Sequence, residues 1–182
     1  MALVHEDLPH YTYDDYVQWE GKWEIIYGIA YAMAPAPSIE HQNISQKIAG
    51  ELYNALKGCD NCQALLPVDW QITEDTVVQP DNMVVCGKVT GNKKLLQTPS
   101  IVFEVLSPST SHKDRTVKLS LYEKAGVAYY VIVNPLTLSA EIYWLHHGQY
   151  ELSQEVSYQT FEFSLDNCTF SLNFSHILES WE

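Results

Sequence analysis

The chain has 182 residues, enough to bury a core without metal or disulfide staples, and its 46% hydrophobic and 12% aromatic content is that of a folded protein rather than a disordered one. Acidic residues outnumber basic ones 23 to 10, a formal charge of −13, and Arg115 is the one arginine, which argues against tight, unaided duplex binding, because that affinity comes largely from neutralising phosphates. No apolar run reaches the roughly 18–20 residues of a membrane span, and the acidic Met1–His10 stretch does not read as a secretory leader; a cytosolic protein folded as a single domain over residues 1–182 is expected.

The first expected element is a short helix that Thr12 can cap, with Asp14 and Asp15 at its positive end and Tyr16 and Trp19 on an apolar side. Two β-prone runs between Trp23 and Met33 flank Gly28 and predict a hairpin, stopped by Pro35-Ala36-Pro37. Ile44, Ile48, Leu52 and Leu56 recur every four residues, so a helix should run from Ser38 to Leu56 and end at Gly58. Strands are expected over Ala64–Ile72 and Asn82–Cys86, separated by a turn near Glu74-Asp75, and a loop over Gly87–Pro99. Ile101–Leu106 is almost entirely apolar, as in a strand covered on both faces. A helix over Lys113–Ala125 should end at Gly126, with Val117, Leu121 and Ala125 as its buried stripe and Arg115, Lys118 and Tyr122 as the row beside it. A buried strand Tyr129–Val133 then stops at Asn134-Pro135, and Ala140–Leu145 turns through Gly148 into Tyr150–Leu152. The tail from Phe161 to Glu182 alternates weakly and could pack on this core or on a second subunit. Strand, helix and strand over 101–133 predict a right-handed crossover, and the whole an α/β mixed sheet flanked by helices.

The four cysteines include Cys59-Asp60-Asn61-Cys62, a spacing open to zinc or redox chemistry, but no second pair completes a site; the reading is a structural role, with free thiols. Glu104 is the main anomaly, because a carboxylate among Ile101, Val102, Phe103, Val105 and Leu106 is costly to bury unless it is paired or binds a metal. Asp81 follows Gln79-Pro80 at the mouth of a strand, and two carboxylates at adjacent strand ends suit a hard cation, although an Asp after Pro also marks a turn. Lys118 could orient or deprotonate a water, or lie solvated on its helix. Glu24 is a further carboxylate in apolar company, and His41 and Gln42 open the long helix, where capping or packing would also explain them.

Together, Trp23–Gly28, Pro37–Gln42, Val77–Asp81, Phe103–Thr110 and the downstream Asp114, Lys118, Tyr122 and Ala125-Gly126-Val127 resemble a large bacterial family of restriction-endonuclease-like proteins, abundant in cyanobacteria, within the PD-(D/E)xK nuclease superfamily. The resemblance covers roughly residues 10–145. It implies a restriction-endonuclease-like fold and a nuclease dependent on Mg2+, with Mn2+ a substitute. Asp81 and Glu104 would be the metal-binding carboxylates, the Val105 carbonyl and Glu24 further metal donors, and Lys118 the catalytic lysine. The usual lysine position, two residues beyond Glu104, holds Leu106, and Lys118 on the next helix matches the migrated lysine of this family. The implied partner is nucleic acid, more readily DNA, held weakly by so acidic a chain; a homodimer is the default assembly. The alternative is a non-catalytic, dimeric interaction protein that keeps the fold.

Overall fold

The computed structural model describes residues 8–33 and 36–179, so the acidic stretch before Leu8, the expected stop at Pro35 and the last three residues lie outside the described part. In chain order the first elements are α1 (Tyr13–Tyr16), β1 (Trp23–Ile26), β2 (Ile29–Ala32), α2 (Ile39–Ala55), β3 (Cys62–Leu65), β4 (Trp70–Thr73), β5 (Thr76–Val78) and β6 (Asn82–Cys86). They are followed by β7 (Ile101–Val105), α3 (Ser111–Lys113), a π-helical segment (Asp114–Lys118), α4 (Leu119–Ala125), β8 (Tyr129–Asn134), β9 (Ser139–His146), β10 (Gln149–Val156), β11 (Thr160–Leu165), β12 (Cys168–Asn173) and α5 (Phe174–Ile177).

The chain divides into two compact units. The smaller comprises Met1–Ala36, Val68–Gln79 and Thr90–Gln97, and its sheet has the order β2-β1-β5-β4. At the start of α1 the Asp15 carboxylate reaches back to the Thr12 N–H (2.9 Å) and hydroxyl (3.1 Å). The expected hairpin forms between β1 and β2, turning on Tyr27 and Gly28, whose φ values of 53° and 77° are both left-handed. Two such residues match the turn to the twist of the strands, and a Cβ on Gly28 would collide with the His10 ring.

The larger unit holds a six-stranded mixed sheet, β10-β9-β8-β7-β6-β3, in which only β7 and β8 run parallel. Every residue of β7 is buried, as its apolar run requires. Ser38 caps α2 by accepting the His41 N–H (3.1 Å), and Ile44, Ile48 and Leu52 form its buried stripe; removing each from water stabilises the fold by about 1.5–3 kcal/mol. Gly126, at φ 81°, ends α4 in the left-handed conformation. The tail forms the β11–β12 hairpin, and its Phe163, Phe170 and Leu172 join Val131 and Ile142 in the chain's own core.

Three expectations need correction. The strand expected over Ala64–Ile72 is two strands in different sheets, because the chain leaves the larger sheet at 66–69, where Pro67 has no N–H to donate. The helix expected over Lys113–Ala125 starts at Ser111 and contains the π-helical segment; Asp114, Lys118, Leu121 and Tyr122 are its buried residues, while Val117 and Ala125 are half-buried. Nor are the thiols free: Cys62 bonds to Cys86, its directly opposite residue across β3 and β6, and Cys59 to Cys168, with Cα atoms 5.5 Å apart. The C-x-x-C thiols therefore take separate partners and serve the fold.

Candidate active site

Glu104, on β7, is 4% exposed. Its Oε1 accepts hydrogen bonds from Lys118 Nζ (2.8 Å) and the Tyr122 hydroxyl (2.7 Å). Lys118 is 3% exposed and lies 3.9 Å from the Asp114 carboxylate, itself 2% exposed. A charge taken this far out of water survives only in company, and here each carboxylate has the same ammonium beside it. Tyr122 meets Tyr130 edge-on at 5.0 Å between ring centroids, and the Tyr130 hydroxyl donates to the Asp114 carbonyl (3.0 Å). Burial pushes the Tyr130 phenol well above its ordinary pKa, and the nearby Glu104 charge adds to the shift.

Asp81 stands just before β6. Its Oδ2 accepts the Val105 N–H at 2.8 Å and faces His41 Nε2 at 3.2 Å. Burial by itself would lower the His41 pKa; the Asp81 carboxylate outweighs it, with the Val105 backbone in support, and holds the imidazole above its ordinary value. α2 is positioned for this contact by the Ser38 cap and by Ser45, whose hydroxyl donates to Asn82 Oδ1 on β6 (2.9 Å). Across β6 and β7, Asn82 pairs with Phe103, so continuing the register sets Asp81 opposite Glu104. β7 thus carries both halves of the arrangement: Glu104 with the lysine and tyrosine, and Val105 with Asp81 and His41.

Glu24 lies in the smaller unit, 1% exposed on β1, and its Oε1 accepts the Gln79 N–H (3.1 Å). Gln79, two residues before Asp81 along the chain, also donates through Nε2 to Asp69 (2.7 Å) and to the Tyr16 hydroxyl (3.0 Å), which in turn donates to Asp69 (2.8 Å). Burial, then the Asp69 carboxylate, raises the Tyr16 pKa. Arg115 does not join Lys118; it pairs with Glu141 on β9, which also accepts the Tyr143 hydroxyl (2.8 Å). Sequence reasoning gave Asp114 no role, although its spacing of four from Lys118 and of eight from Tyr122 was a usable signal. Nothing marked the Tyr16, Asp69 and Gln79 cluster. Among the described residues no three His, Cys, Asp or Glu side chains converge as a metal cluster, and no helix is long and apolar enough to cross a membrane.

The family model of Uma2, described as "Putative restriction endonuclease", matches residues 13–170. This chain belongs to the Uma2 family. An uncharacterised protein of the cyanobacterium Synechocystis is 29% identical over 144 residues, 75% of each chain. The crystal structure of a "putative nuclease belonging to DUF820" from Anabaena variabilis superposes with a TM-score of 0.73 at 17% identity, covering 92% of this chain and 97% of that one. The nuclease-like fold expected from the sequence is therefore that of this Uma2 protein, a mixed sheet with few helices. The Uma2 match spans both compact units, including Glu24, Asp81, Glu104 and Lys118.

Proposed function

We propose that this protein is a Mg2+-dependent nuclease, with Mn2+ able to substitute, that hydrolyses phosphodiester bonds in nucleic acid through an arrangement of the PD-(D/E)xK kind. The observation that carries the reading is the buried Glu104–Lys118 pair on the strand that also binds Asp81, a costly arrangement for which packing alone gives no reason. The donor set fits the ion: Mg2+ prefers oxygen, takes one or two carboxylates and keeps several waters, so two carboxylates set opposite each other suffice without a cluster of three. Asp81 and Glu104 would hold it, with the Val105 carbonyl as a further donor and Glu24 as an additional carboxylate of the family pattern. When bound, such an ion supplies Lewis-acid charge at the scissile phosphate and lowers the pKa of water.

The chain's own residues do the rest. Lys118 positions the attacking water and faces the charge that develops on the phosphate. The Tyr122 hydroxyl and the ammonium both donate to Glu104 Oε1 and so hold the orientation of that carboxylate. His41 holds the orientation of Asp81 from outside the reacting centre.

The test is calorimetric titration of Mg2+ and Mn2+ beside cleavage assays on single-stranded and duplex DNA and RNA, with Asp81→Asn and Glu104→Gln as controls. Saturable binding and cleavage, both lost in folded variants, are expected. The net charge of −13 weighs against tight nucleic-acid binding and so keeps a second reading in view, a non-catalytic dimeric interaction protein that retains the fold. A folded protein that binds no metal and cleaves nothing would overturn the first reading and leave the second standing.

A further inference from the structure

Asp81 lines more than the candidate site. A groove of about 980 Å3 runs between α2 and the edge strand β3 in the larger unit, with Gln42, Asn43, Gln46 and Tyr53 on the helix side, Leu66 just beyond β3 on the other, and Asp81 in its wall. In a chain of net charge −13, Asp81 is the one charged side chain among its lining residues. Tyr53 and Leu66 are 70% and 63% exposed. Among the described residues, the side-chain amides of Gln42, Asn43 and Gln46 make no hydrogen bond within the chain. The groove therefore offers unspent donors and acceptors, a tyrosine ring and an apolar wall, where the rest of the chain repels polyanions.

We propose that this groove binds the unpaired bases next to the scissile phosphate, so that the substrate is single-stranded nucleic acid, or a strand splayed out of a duplex. The proposal rests on the nuclease reading for one point, that the phosphodiester sits at Asp81; whatever fills the adjoining groove is then the neighbouring nucleotide. Duplex binding draws on lysines and arginines along the phosphates, which the lining residues lack. Amides reading base edges and aromatic rings stacking on base faces are the chemistry of single-strand recognition, and bases reach such groups only when unstacked. Lys57, whose Nζ lies 5.2 Å from the Tyr53 ring centroid, puts a cation beside that ring for the backbone that leaves it.

The test is fluorescence anisotropy in EDTA, with labelled single-stranded DNA and RNA of about 12 nucleotides, an abasic strand of the same length and a matched duplex. Single strands should bind more tightly than the abasic strand and the duplex, with a shallow salt dependence. Tyr53→Ala should weaken single-strand binding roughly 5- to 150-fold, and Gln46→Ala about 2- to 12-fold. Equal affinity for the abasic strand, wild-type affinity in both variants, or no binding by the wild type overturns the proposal. So does a wild-type dimer that Tyr53→Ala converts to monomer, which would make the groove an interface between copies of this chain. Because binding is read without metal, the two readings fail separately. Tyr53-dependent binding with no cleavage would leave the groove and remove the nuclease; cleavage abolished by Glu104→Gln, with Tyr53→Ala binding as wild type, would do the reverse.

Discussion

Replacing Lys118 by methionine keeps the volume and removes the charge, so it measures what the buried ammonium contributes. The Lys118 and Glu104 side chains are 4% and 5% exposed and 2.8 Å apart, so the small values found for surface ion pairs do not apply. Losing one partner of a buried pair costs about 3–5 kcal/mol, because the other charge is left uncompensated. For a chain of this length that lowers Tm by roughly 6–20 °C. Adding Glu104→Gln to Lys118→Met removes the orphaned carboxylate while keeping an acceptor for Tyr122, so the double variant should be more stable than Lys118→Met alone, with a coupling of about 1–3 kcal/mol. Recovery will be partial, because Asp114 also loses the ammonium 3.9 Å away. Urea unfolding of the four proteins in EDTA gives the cycle. A cost below about 1 kcal/mol for Lys118→Met, or no coupling to Glu104, would refute the claim that the pair is buried and mutually dependent.

Mg2+ at about 100 times its dissociation constant should stabilise the wild type by about 2.7 kcal/mol, a rise in Tm of roughly 5–11 °C, and should leave Asp81→Asn and Glu104→Gln unmoved; equal shifts in all three would sink the assignment of ligands. The folded-state pKa of His41 lies above its ordinary 6.5. Its stabilising contribution is therefore fully present below about pH 6.5 and lost as pH rises through the folded value, and in EDTA the stability gap between wild type and His41→Gln should shrink over that window. A gap that widens with pH would contradict the sign. The Cys59–Cys168 and Cys62–Cys86 bonds span sequence separations of 109 and 24, so removing them should cost up to about 5 and 3.5 kcal/mol by loop entropy. Cys59→Ser should thus lower the non-reducing Tm more than Cys62→Ser, and neither should change the Tm of the reduced wild type much.

What the sequence disclosed depended on whether a signal was local. Glu104 was legible because a carboxylate inside an apolar run has no cheap explanation, and α2 because its stripe repeats over four turns. Lys118 carried a weak local signal, a place in the row beside the buried stripe of its helix, since a mid-helix lysine is ordinarily solvated, and the resemblance gave it the role of catalytic lysine. The break at Pro67 was visible as a residue, but that the two strands belong to different sheets is a property of pairing between distant segments. β5 was too short to stand out between the turn at Glu74-Asp75 and Pro80. The disulfides escaped for the same reason: Cys86 and Cys168 are chosen by strand register and by packing of the hairpin tail, neither of which spacing encodes.

The π-helical segment sets a phase. Four residues overshoot an α-helical turn by about 40°, whereas the wider π-turn, closed by bonds from i to i+5, is not quite completed by four. Asp114 to Lys118 spans the wide turn and Lys118 to Tyr122 the narrow one, so the two drifts oppose each other and the three side chains stay on one meridian of the helix, in line with the Glu104 carboxylate. Deleting a single residue between Asp114 and Lys118 would restore a uniform α-helix, in which the remaining separation of three residues covers about 300° in place of the nearly full turn that the π-segment makes, a rotation of roughly 50°. Asp114 would then stand about 50° around the helix from its present line with the ammonium, although no atom of Lys118, Tyr122 or Glu104 had been changed.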